Sequence, residues 1–149
     1  MKVRYVHTSL VARDWRRLAD FYATVFGCDR VQPERNQAGD WLDRGTGIPG
    51  LRIRGVHLRL PGWGPDGPTL EVYRYEPLLE ASVPMPNRPG FGHIAFHVED
   101  VHAVLLQVVA AGGSTLGEPV TVEVSGAGTI SFVYVRDPEG NVIELQKWQ

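Results

Sequence analysis

The sequence predicts an α+β fold, a single domain made of two copies of a β-α-β-β-β module, because the chain repeats itself. A shift of 86 residues superposes three positions in the same order: His7 on His93, Asp14 on Asp100 and Gly27 on Gly113. A shift of 73 residues places the segment PDGPTLEVYRY on the segment PEGNVIELQKW. The two shifts differ by 13 residues, which we interpret as an insertion in the first copy within residues 36–50. An internal repeat of this kind predicts the architecture independently of the assignment of any single strand or helix.

Each element of the first module follows from the local sequence. Residues 3–10 are β-branched and apolar enough for a strand. Asp14 can cap the following helix by accepting hydrogen bonds from free backbone N–H groups, and Gly27 can end that helix in the left-handed conformation. Apolar residues between them recur at the spacing of one helical face. Strands are then predicted over residues 28–34, 52–60 and 69–75.

The second module repeats this order. Strands are predicted over residues 91–98, 114–124, 129–136 and 141–147, with a helix that starts at Asp100 and ends at Gly112 and Gly113. Four prolines exclude a central strand or helix interior within residues 76–89. We therefore divide the single domain, residues 1–149, into module 1 (1–76), a linker (77–89) and module 2 (90–149). Each module has one helix to cover one sheet face, so the other face needs the second module.

Composition excludes several classes of function. The chain has 17 acidic and 15 basic residues and a formal charge of -2, without the clustered basic excess that nucleic-acid binding needs. The most apolar stretch, residues 101–111, is about half as long as the roughly 20 residues of a membrane span. The single cysteine, Cys28, cannot form an internal disulfide, and no charged and apolar leader precedes the first strand. We therefore expect a cytoplasmic protein that binds neither nucleic acid nor membranes.

Four side chains on the predicted sheets have the chemistry of metal ligands. Because successive side chains of a strand point to opposite faces, His93 lies on the face away from its helix, and His7 has the equivalent position. The same alternation places Glu71 and Glu144 on the uncovered faces of the last strands. Two imidazoles and two carboxylates suit a borderline divalent metal such as Zn, Ni, Co, Fe or Mn, which would also relieve the repulsion between two carboxylates. The sequence therefore predicts a metal site made of His7, Glu71, His93 and Glu144.

Other candidate residues have weaker grounds. His97 shares a face with His93, but four residues along a strand separate them by roughly 13 Å, too far for both to bind one ion. His57 is predicted to lie mid-strand and to line the pocket, whereas His102 is expected to be exposed in the first helical turn. Cys28 follows a helix end and is expected to be a small buried residue rather than a nucleophile.

Three segments of the sequence resemble a known family. HTSLVARDWRRLADFYATVFG in the first module, with GFGHIAFHVEDV and RDPEGNVIELQKW in the second, look like the vicinal oxygen chelate superfamily, the glyoxalase, bleomycin resistance protein and dioxygenase family. The resemblance covers nearly the whole chain. It implies that the modules form a half-open barrel, the glyoxalase-like fold, around a divalent metal. It also implies a homodimer, and ligands from the first and last strands of each module, which match His7, Glu71, His93 and Glu144.

The resemblance further implies a metal-dependent enzyme of the glyoxalase I type, a lyase, isomerase or epimerase. In such enzymes the metal polarises adjacent substrate oxygens and stabilises an enediolate while a carboxylate moves a proton next to a carbonyl. Glu144 or Glu71 is expected to be the catalytic base, with Glu144 preferred by resemblance only. Two alternatives stay open: a protein that binds an antibiotic or toxin without catalysis, and an Fe(II)-dependent dioxygenase of the same fold. No glutathione-binding set can be matched, and Arg52, Arg54 and Arg59 are expected to be surface charges along a strand.

Overall fold

The computed structural model describes residues 2–149 as two compact units, of which the first ends at Ala81 and the second begins at Ser82. The division falls within the predicted linker, residues 77–89. Together the units contain nine strands in two sheets and three helices over the described residues. The predicted α+β class is therefore confirmed.

The first unit contains six elements: β1 (His7–Val11), α1 (Trp15–Phe26), β2 (Asp29–Ala38), α2 (Asp40–Thr46), β3 (Arg52–Arg59) and β4 (Thr69–Glu76). Its sheet has the strand order β1-β4-β3-β2. β1 runs parallel to β4, whereas the β4–β3 and β3–β2 pairs are antiparallel. The first and last strands of the unit are therefore neighbours in its sheet.

Helix α1 begins and ends at the predicted residues. The Asp14 carboxylate accepts a hydrogen bond of 3.1 Å from the Arg17 N–H, and Gly27 follows the helix with a left-handed φ of 66°. The apolar face of α1 buries Leu18, Ala19 and Tyr22 completely. The sheet supplies four fully buried side chains to this core: Val56 and Leu58 from β3, and Leu70 and Val72 from β4.

The insertion in the first unit contains a helix that the sequence did not predict. Leu42 of α2 packs with Leu51, Ile53 and Tyr73 in a small buried cluster. Asp43 accepts hydrogen bonds from the backbone N–H groups of the two residues before β3, at 2.7 and 2.9 Å. Helix α2 has only seven residues, and a helix this short is marginal without tertiary packing. These contacts therefore stabilise it.

The second unit also contains six elements: β5 (Ile94–His97), α3 (Val101–Ala110), β6 (Ser114–Thr115), β7 (Val120–Val124), β8 (Gly128–Arg136) and β9 (Val142–Trp148). The main strand order is β5-β9-β8-β6, and β7 also pairs with β8. β5 runs parallel to β9, as β1 does to β4. The predicted repeat is thus present in the strand pairing.

Helix α3 is capped as predicted at its start, where the Asp100 carboxylate accepts a hydrogen bond of 3.0 Å from the Ala103 N–H. At its end, Gly112 takes a positive φ of 91°. Gly113 has a different role, since a Cβ at this residue would lie 2.5 Å from the Arg136 carbonyl oxygen. No helix within residues 2–149 is long and apolar enough to cross a membrane.

Strand boundaries differ from the prediction at several places. β2 runs from Asp29 to Ala38, past its predicted end at residue 34 and into the predicted insertion. β1 begins at His7 rather than at residue 3, and β5 begins at Ile94, so that His93 immediately precedes its strand. The predicted strand 114–124 is divided into β6 and β7. The backbone N–H groups of Leu116 and Gly117 both donate to the Tyr134 carbonyl oxygen, so the chain turns there instead of continuing the ladder.

Candidate metal centre

The first unit brings His7 and Glu71 together. β1 pairs with β4 in a register that sets His7 opposite Thr69, two residues from Glu71 on the same face. The His7 Nε2 atom lies 3.4 Å from the Glu71 Oε2 atom. The Glu71 side chain is 14% exposed, so its carboxylate is largely removed from water but still reachable by a small molecule or ion.

The second unit brings His93 and Glu144 together in the same way. β5 pairs with β9 in a register that sets Ile94 opposite Ile143, so that His93, one residue before β5, adjoins Glu144. The His93 Nε2 atom lies 2.9 Å from the Glu144 Oε2 atom, and the Glu144 side chain is 15% exposed. The two pairs therefore match in residue type, strand position and burial.

Strand alternation places both glutamates as the sequence predicted. In β9, the side chains of Ile143 and Leu145 are fully buried on the face that α3 covers, while Glu144 lies on the opposite face. In β4, Leu70 and Val72 are buried beneath α1, and Glu71 lies between them on the other face. Each carboxylate thus lies on the sheet face away from its unit's own helix.

A third imidazole, that of His57 on β3, also contacts Glu71. β3 and β4 pair with His57 directly opposite Glu71. The His57 Nε2 atom lies 3.1 Å from the Glu71 Oε1 atom, and the Nδ1 atom is hydrogen-bonded to the Thr69 hydroxyl at 3.0 Å. One Glu71 oxygen therefore faces His57 and the other faces His7. His57 also lines an open cavity of the first unit.

Burial shapes the ionisation of the groups around the glutamates. Burial lowers the pKa of His57, against the opposing effect of Glu71. Burial and then the nearby Glu71 charge raise the pKa of Tyr73 to about 12, and burial followed by Glu144 raises the pKa of Tyr134. Both tyrosine hydroxyls therefore keep their protons at neutral pH.

Tyr134 occupies in the second unit the place that His57 occupies in the first. β8 pairs with β9 with Tyr134 opposite Glu144, as His57 lies opposite Glu71. The Tyr134 ring lies 4.9 Å from the His93 ring, centre to centre. Glu71 is thus flanked by two imidazoles, while Glu144 has one imidazole and one phenol beside it.

The donor atoms in these pairs fit a borderline divalent metal, since each pair offers an imidazole nitrogen and a carboxylate oxygen. Within residues 2–149, no group of three or more His, Cys, Asp or Glu side chains is arranged to hold a metal ion. Each unit supplies two of the four predicted ligands: His7 with Glu71, and His93 with Glu144.

His97, His102 and Cys28, the other candidate residues, lie outside the imidazole–carboxylate pairs. His97 pairs with Gln146 on the strand ladder, two residues beyond the Ala95–Glu144 pair, and His102 is exposed. Cys28 is 3% exposed, and burial raises the pKa of its thiol to about 12. The thiolate is the nucleophilic form, so Cys28 is not a nucleophile at neutral pH.

An open cavity of about 270 Å³ adjoins His57 in the first unit. Arg35, Arg59 and Thr69 contribute to its lining, and the sequence did not predict them as functional residues. Arg59 was expected at the surface, yet it is half-buried, whereas Arg52 and Arg54 are exposed. Strand alternation could have found Arg59, because it lies two residues from His57 on the same face of β3. It could not have found Arg35, since the β2–β3 register shifts between Val31 and Arg35.

Comparison with protein families identifies one match over nearly the full length. Residues 4–145 match the profile described as the Glyoxalase/Bleomycin resistance protein/Dioxygenase superfamily. A curated protein of Vibrio cholerae named "Probable lactoylglutathione lyase" is 29% identical over 143 residues, which are 95% of this chain and 88% of the relative. This name agrees with the predicted glyoxalase-like enzyme class.

Solved structures of the same fold include a glyoxalase family protein from Bacillus cereus. It superposes with a TM-score of 0.77 at 19% identity, covering 99% of this chain and 94% of the other. The trypanothione-dependent glyoxalase I of Leishmania major superposes with a TM-score of 0.63 at 24% identity, covering 98% and 87%. At these identities the likeness shows the fold, and it confirms the predicted glyoxalase-like architecture.

Proposed function

Because the chain belongs to the Glyoxalase/Bleomycin resistance protein/Dioxygenase superfamily, we propose that it is a divalent-metal-dependent enzyme of the glyoxalase I type. The proposed reaction moves a proton between carbon atoms next to a carbonyl group, in a small substrate that carries adjacent oxygen atoms. The observation that carries this proposal is the duplicated imidazole–carboxylate pair, His7 with Glu71 and His93 with Glu144.

The proposed metal ligands are these four side chains. When bound, a divalent ion would supply Lewis-acid polarisation of the substrate oxygens, which makes the neighbouring C–H group more acidic. The near-match of the two pairs in donor types and burial supports one shared role for them. Two carboxylates and two neutral imidazoles would balance the charge of a divalent cation.

Glu144 is the proposed catalytic base. Its carboxylate takes the proton from the carbon next to the carbonyl and returns it to the carbonyl carbon, while the hydroxyl proton passes between the two neighbouring oxygens, so that the product is an isomer of the substrate. The difference between the two glutamates supports this assignment. Imidazoles flank both oxygens of Glu71, whereas among residues 2–149 a single imidazole contacts Glu144, at one oxygen. Glu71 is therefore the better-held ligand, and Glu144 has fewer contacts to break when it moves.

The substrate proposal follows the name of the curated relatives. A lactoylglutathione lyase activity would be measured as the reversible conversion of the glutathione hemithioacetal of methylglyoxal into lactoylglutathione. Absence of this activity in a metal-loaded protein would restrict the proposal to other substrates with adjacent oxygens. The resemblance also supports a homodimer, which light scattering of the full chain would test, and the single cysteine supports a reducing cytoplasmic location.

Metal quantification is the experiment that tests the proposed site. The wild-type protein would be purified gently, reconstituted with Zn, Ni, Co, Fe or Mn and analysed beside His93→Ala and Glu144→Gln. We expect both variants to lose most of the bound metal, since loss of one ligand from four removes a direct coordination bond.

Two variants provide matched controls. His97→Ala removes an imidazole from the same strand, β5, and Glu118→Gln neutralises an exposed carboxylate of the same unit. Both controls should keep the wild-type metal content. If His93→Ala and Glu144→Gln also keep it, the proposed ligand set is wrong.

Metal quantification and an oxygen-consumption assay distinguish the two alternatives from the proposed enzyme. A wild-type protein that neither contains nor takes up a divalent ion would overturn the enzyme proposal in favour of small-molecule binding without catalysis. Consumption of oxygen by the Fe(II)-loaded protein with catechols, in the absence of isomerase activity, would favour a dioxygenase.

A further inference from the structure

The cavity beside His57 is lined by residues of four segments of the first unit. Tyr5 precedes β1, Arg35 lies on β2, His57 and Arg59 lie on β3, and Thr69 begins β4. His57 lines the cavity and also contacts Glu71 of the first imidazole–carboxylate pair, whereas His7 and Glu71 are not among the lining residues. A molecule whose reacting oxygens reach Glu71 could therefore extend into this cavity.

Three arginines line this cavity, and none of them forms an ion pair with a carboxylate of the described residues. Several other arginines of the first unit pair with carboxylates, as Arg16 does with Glu34 at 3.1 Å. Within residues 2–149, no ion pair involves Arg4, Arg35 or Arg59. A half-buried guanidinium without a counterion is costly, because part of its hydration is lost and no carboxylate replaces it.

Two of these guanidinium groups are already held in place. Arg35 donates one N–H to the Pro33 carbonyl oxygen, and Arg59 donates one to the Gly67 carbonyl oxygen. Each group has five N–H donors, so donors remain for a ligand. Groups that are fixed before binding lose less conformational entropy when the ligand arrives.

The composition of the lining indicates the ligand's charge. Asp66 is the acidic residue among the lining residues, and it is exposed, whereas Arg35 and Arg59 are half-buried. Tyr5 and Thr69 also line the cavity, and their hydroxyls are already hydrogen-bonded to Thr8 and His57. Planar guanidinium groups match carboxylate and phosphate oxygens through paired hydrogen bonds.

We infer that this cavity is a binding site for an anionic group, a carboxylate or a phosphate, with Arg35 and Arg59 as its principal donors. The assignment of that anion to the substrate rests on the proposed function. The enzyme would then act on a substrate that carries an anionic group at one end and adjacent oxygens at the other. Arg35 and Arg59 would determine specificity without touching the reacting atoms.

The test measures anion binding to metal-free protein, so that it does not depend on the proposed metal site. The full-length chain, stripped on a chelating resin, would be titrated with inorganic phosphate and with succinate at constant ionic strength. Binding would be measured by NMR, as changes in the backbone amide chemical shifts of residues around Arg35, Arg59 and Gly67. We expect saturable shifts there, and at least about tenfold weaker binding in the double variant Arg35→Gln/Arg59→Gln.

A second double variant, Arg44→Gln/Arg52→Gln, provides the matched control. It removes the same number of positive charges from exposed positions of the same unit, and neither residue lines the cavity. It should bind both anions within about twofold of the wild type, because screened surface charges contribute little. Arg59→Lys is a milder variant that keeps the charge and loses the planar fork. It should weaken binding several-fold even if the double variant does not fold.

Each outcome bears on the inference. Weakened binding of succinate alone assigns a carboxylate site, and weakened binding of phosphate alone assigns a phosphate site. Shifts that do not saturate, or equal losses in the Arg44/Arg52 control, would overturn it. Metal analysis of the Arg35/Arg59 variant separates the two proposals, since it should keep the wild-type metal content. A wild type that binds anions in the cavity but takes up no metal would refute the proposed function alone.

Discussion

Replacing Asp137 with alanine is expected to destabilise the turn that leads from β8 into β9, the strand that carries Glu144. The Asp137 side chain is 3% exposed. Its Oδ1 atom accepts hydrogen bonds from the Glu139 and Asn141 backbone N–H groups at 2.9 and 3.0 Å. Its Oδ2 atom accepts one from the Asn141 side-chain amide at 2.8 Å. The carboxylate thus holds both ends of a five-residue turn.

The size of the effect follows from these contacts. A hydrogen bond to a charged group contributes about 1.5–3 kcal/mol, and contributions within one network are not additive. Glu139 and Asn141 are half-buried, so water can reach part of the freed donors. We therefore expect Asp137→Ala to lower the free energy of unfolding by about 3–5 kcal/mol. Asp137→Asn keeps one acceptor oxygen and should cost about 1–2 kcal/mol.

Amide hydrogen exchange measures this loss within the second unit. The exchange of the Ile143 and Leu145 amides should accelerate about 100-fold or more in Asp137→Ala, as each 1.4 kcal/mol corresponds to a factor of ten. Glu118→Ala removes an exposed carboxylate of the same unit and should change little. A loss below about 1 kcal/mol, or one equal to that of Glu118→Ala, would refute the reasoning.

Three further predictions concern stability. Gly55→Ala should cost about 3 kcal/mol or more in urea denaturation, since its Cβ would lie 2.1 Å from the Val72 carbonyl oxygen; Gly45→Ala, with nothing within 4 Å, should be neutral or stabilising. The thiol of Cys28 has its pKa raised by burial from 9.0 to about 12. The contribution of the protonated thiol to the free energy of unfolding should therefore be fully present below pH 9, and the free energy of unfolding should fall by about 1.4 kcal/mol near pH 10. The same loss at alkaline pH in a Cys28→Ala variant would contradict this. Asp14→Ala should cost about 1 kcal/mol in thermal unfolding through loss of the helix cap, and an unchanged midpoint would argue against the cap.

Features governed by local rules could be predicted from the sequence. Asp14 and Asp100 cap their helices because a carboxylate before a helix accepts free N–H groups whatever lies further away. The faces of Glu71 and Glu144 follow from strand alternation, which buried neighbours on both sides enforce. The repeat additionally indicated that His7 and His93 are equivalent and that Glu71 and Glu144 are equivalent, but the sequence predicted these four residues as ligands of one joint site and not as two separate contacts.

Features governed by distant contacts could not be predicted. Helix α2 contains Gly45 and is only seven residues long, and its stability comes from the contacts of Leu42 and Asp43 with residues near β3. The position of Arg35 depends on the register shift in β2. The contact between His57 and Glu71 depends on the β3–β4 register, which a single sequence does not determine. The joint metal site of His7, Glu71, His93 and Glu144 stays a prediction.

The parallel pairing of the first and last strands in each unit has a consequence for the order of folding. His7 lies opposite Thr69 in the first sheet, about sixty residues further along the chain, so β1 has no partner until β4 has been synthesised. Such distant pairings close long loops and form slowly. During synthesis, each histidine therefore emerges well before the glutamate beside it, and the imidazole–carboxylate pair is completed only when the last strand of its unit joins the sheet.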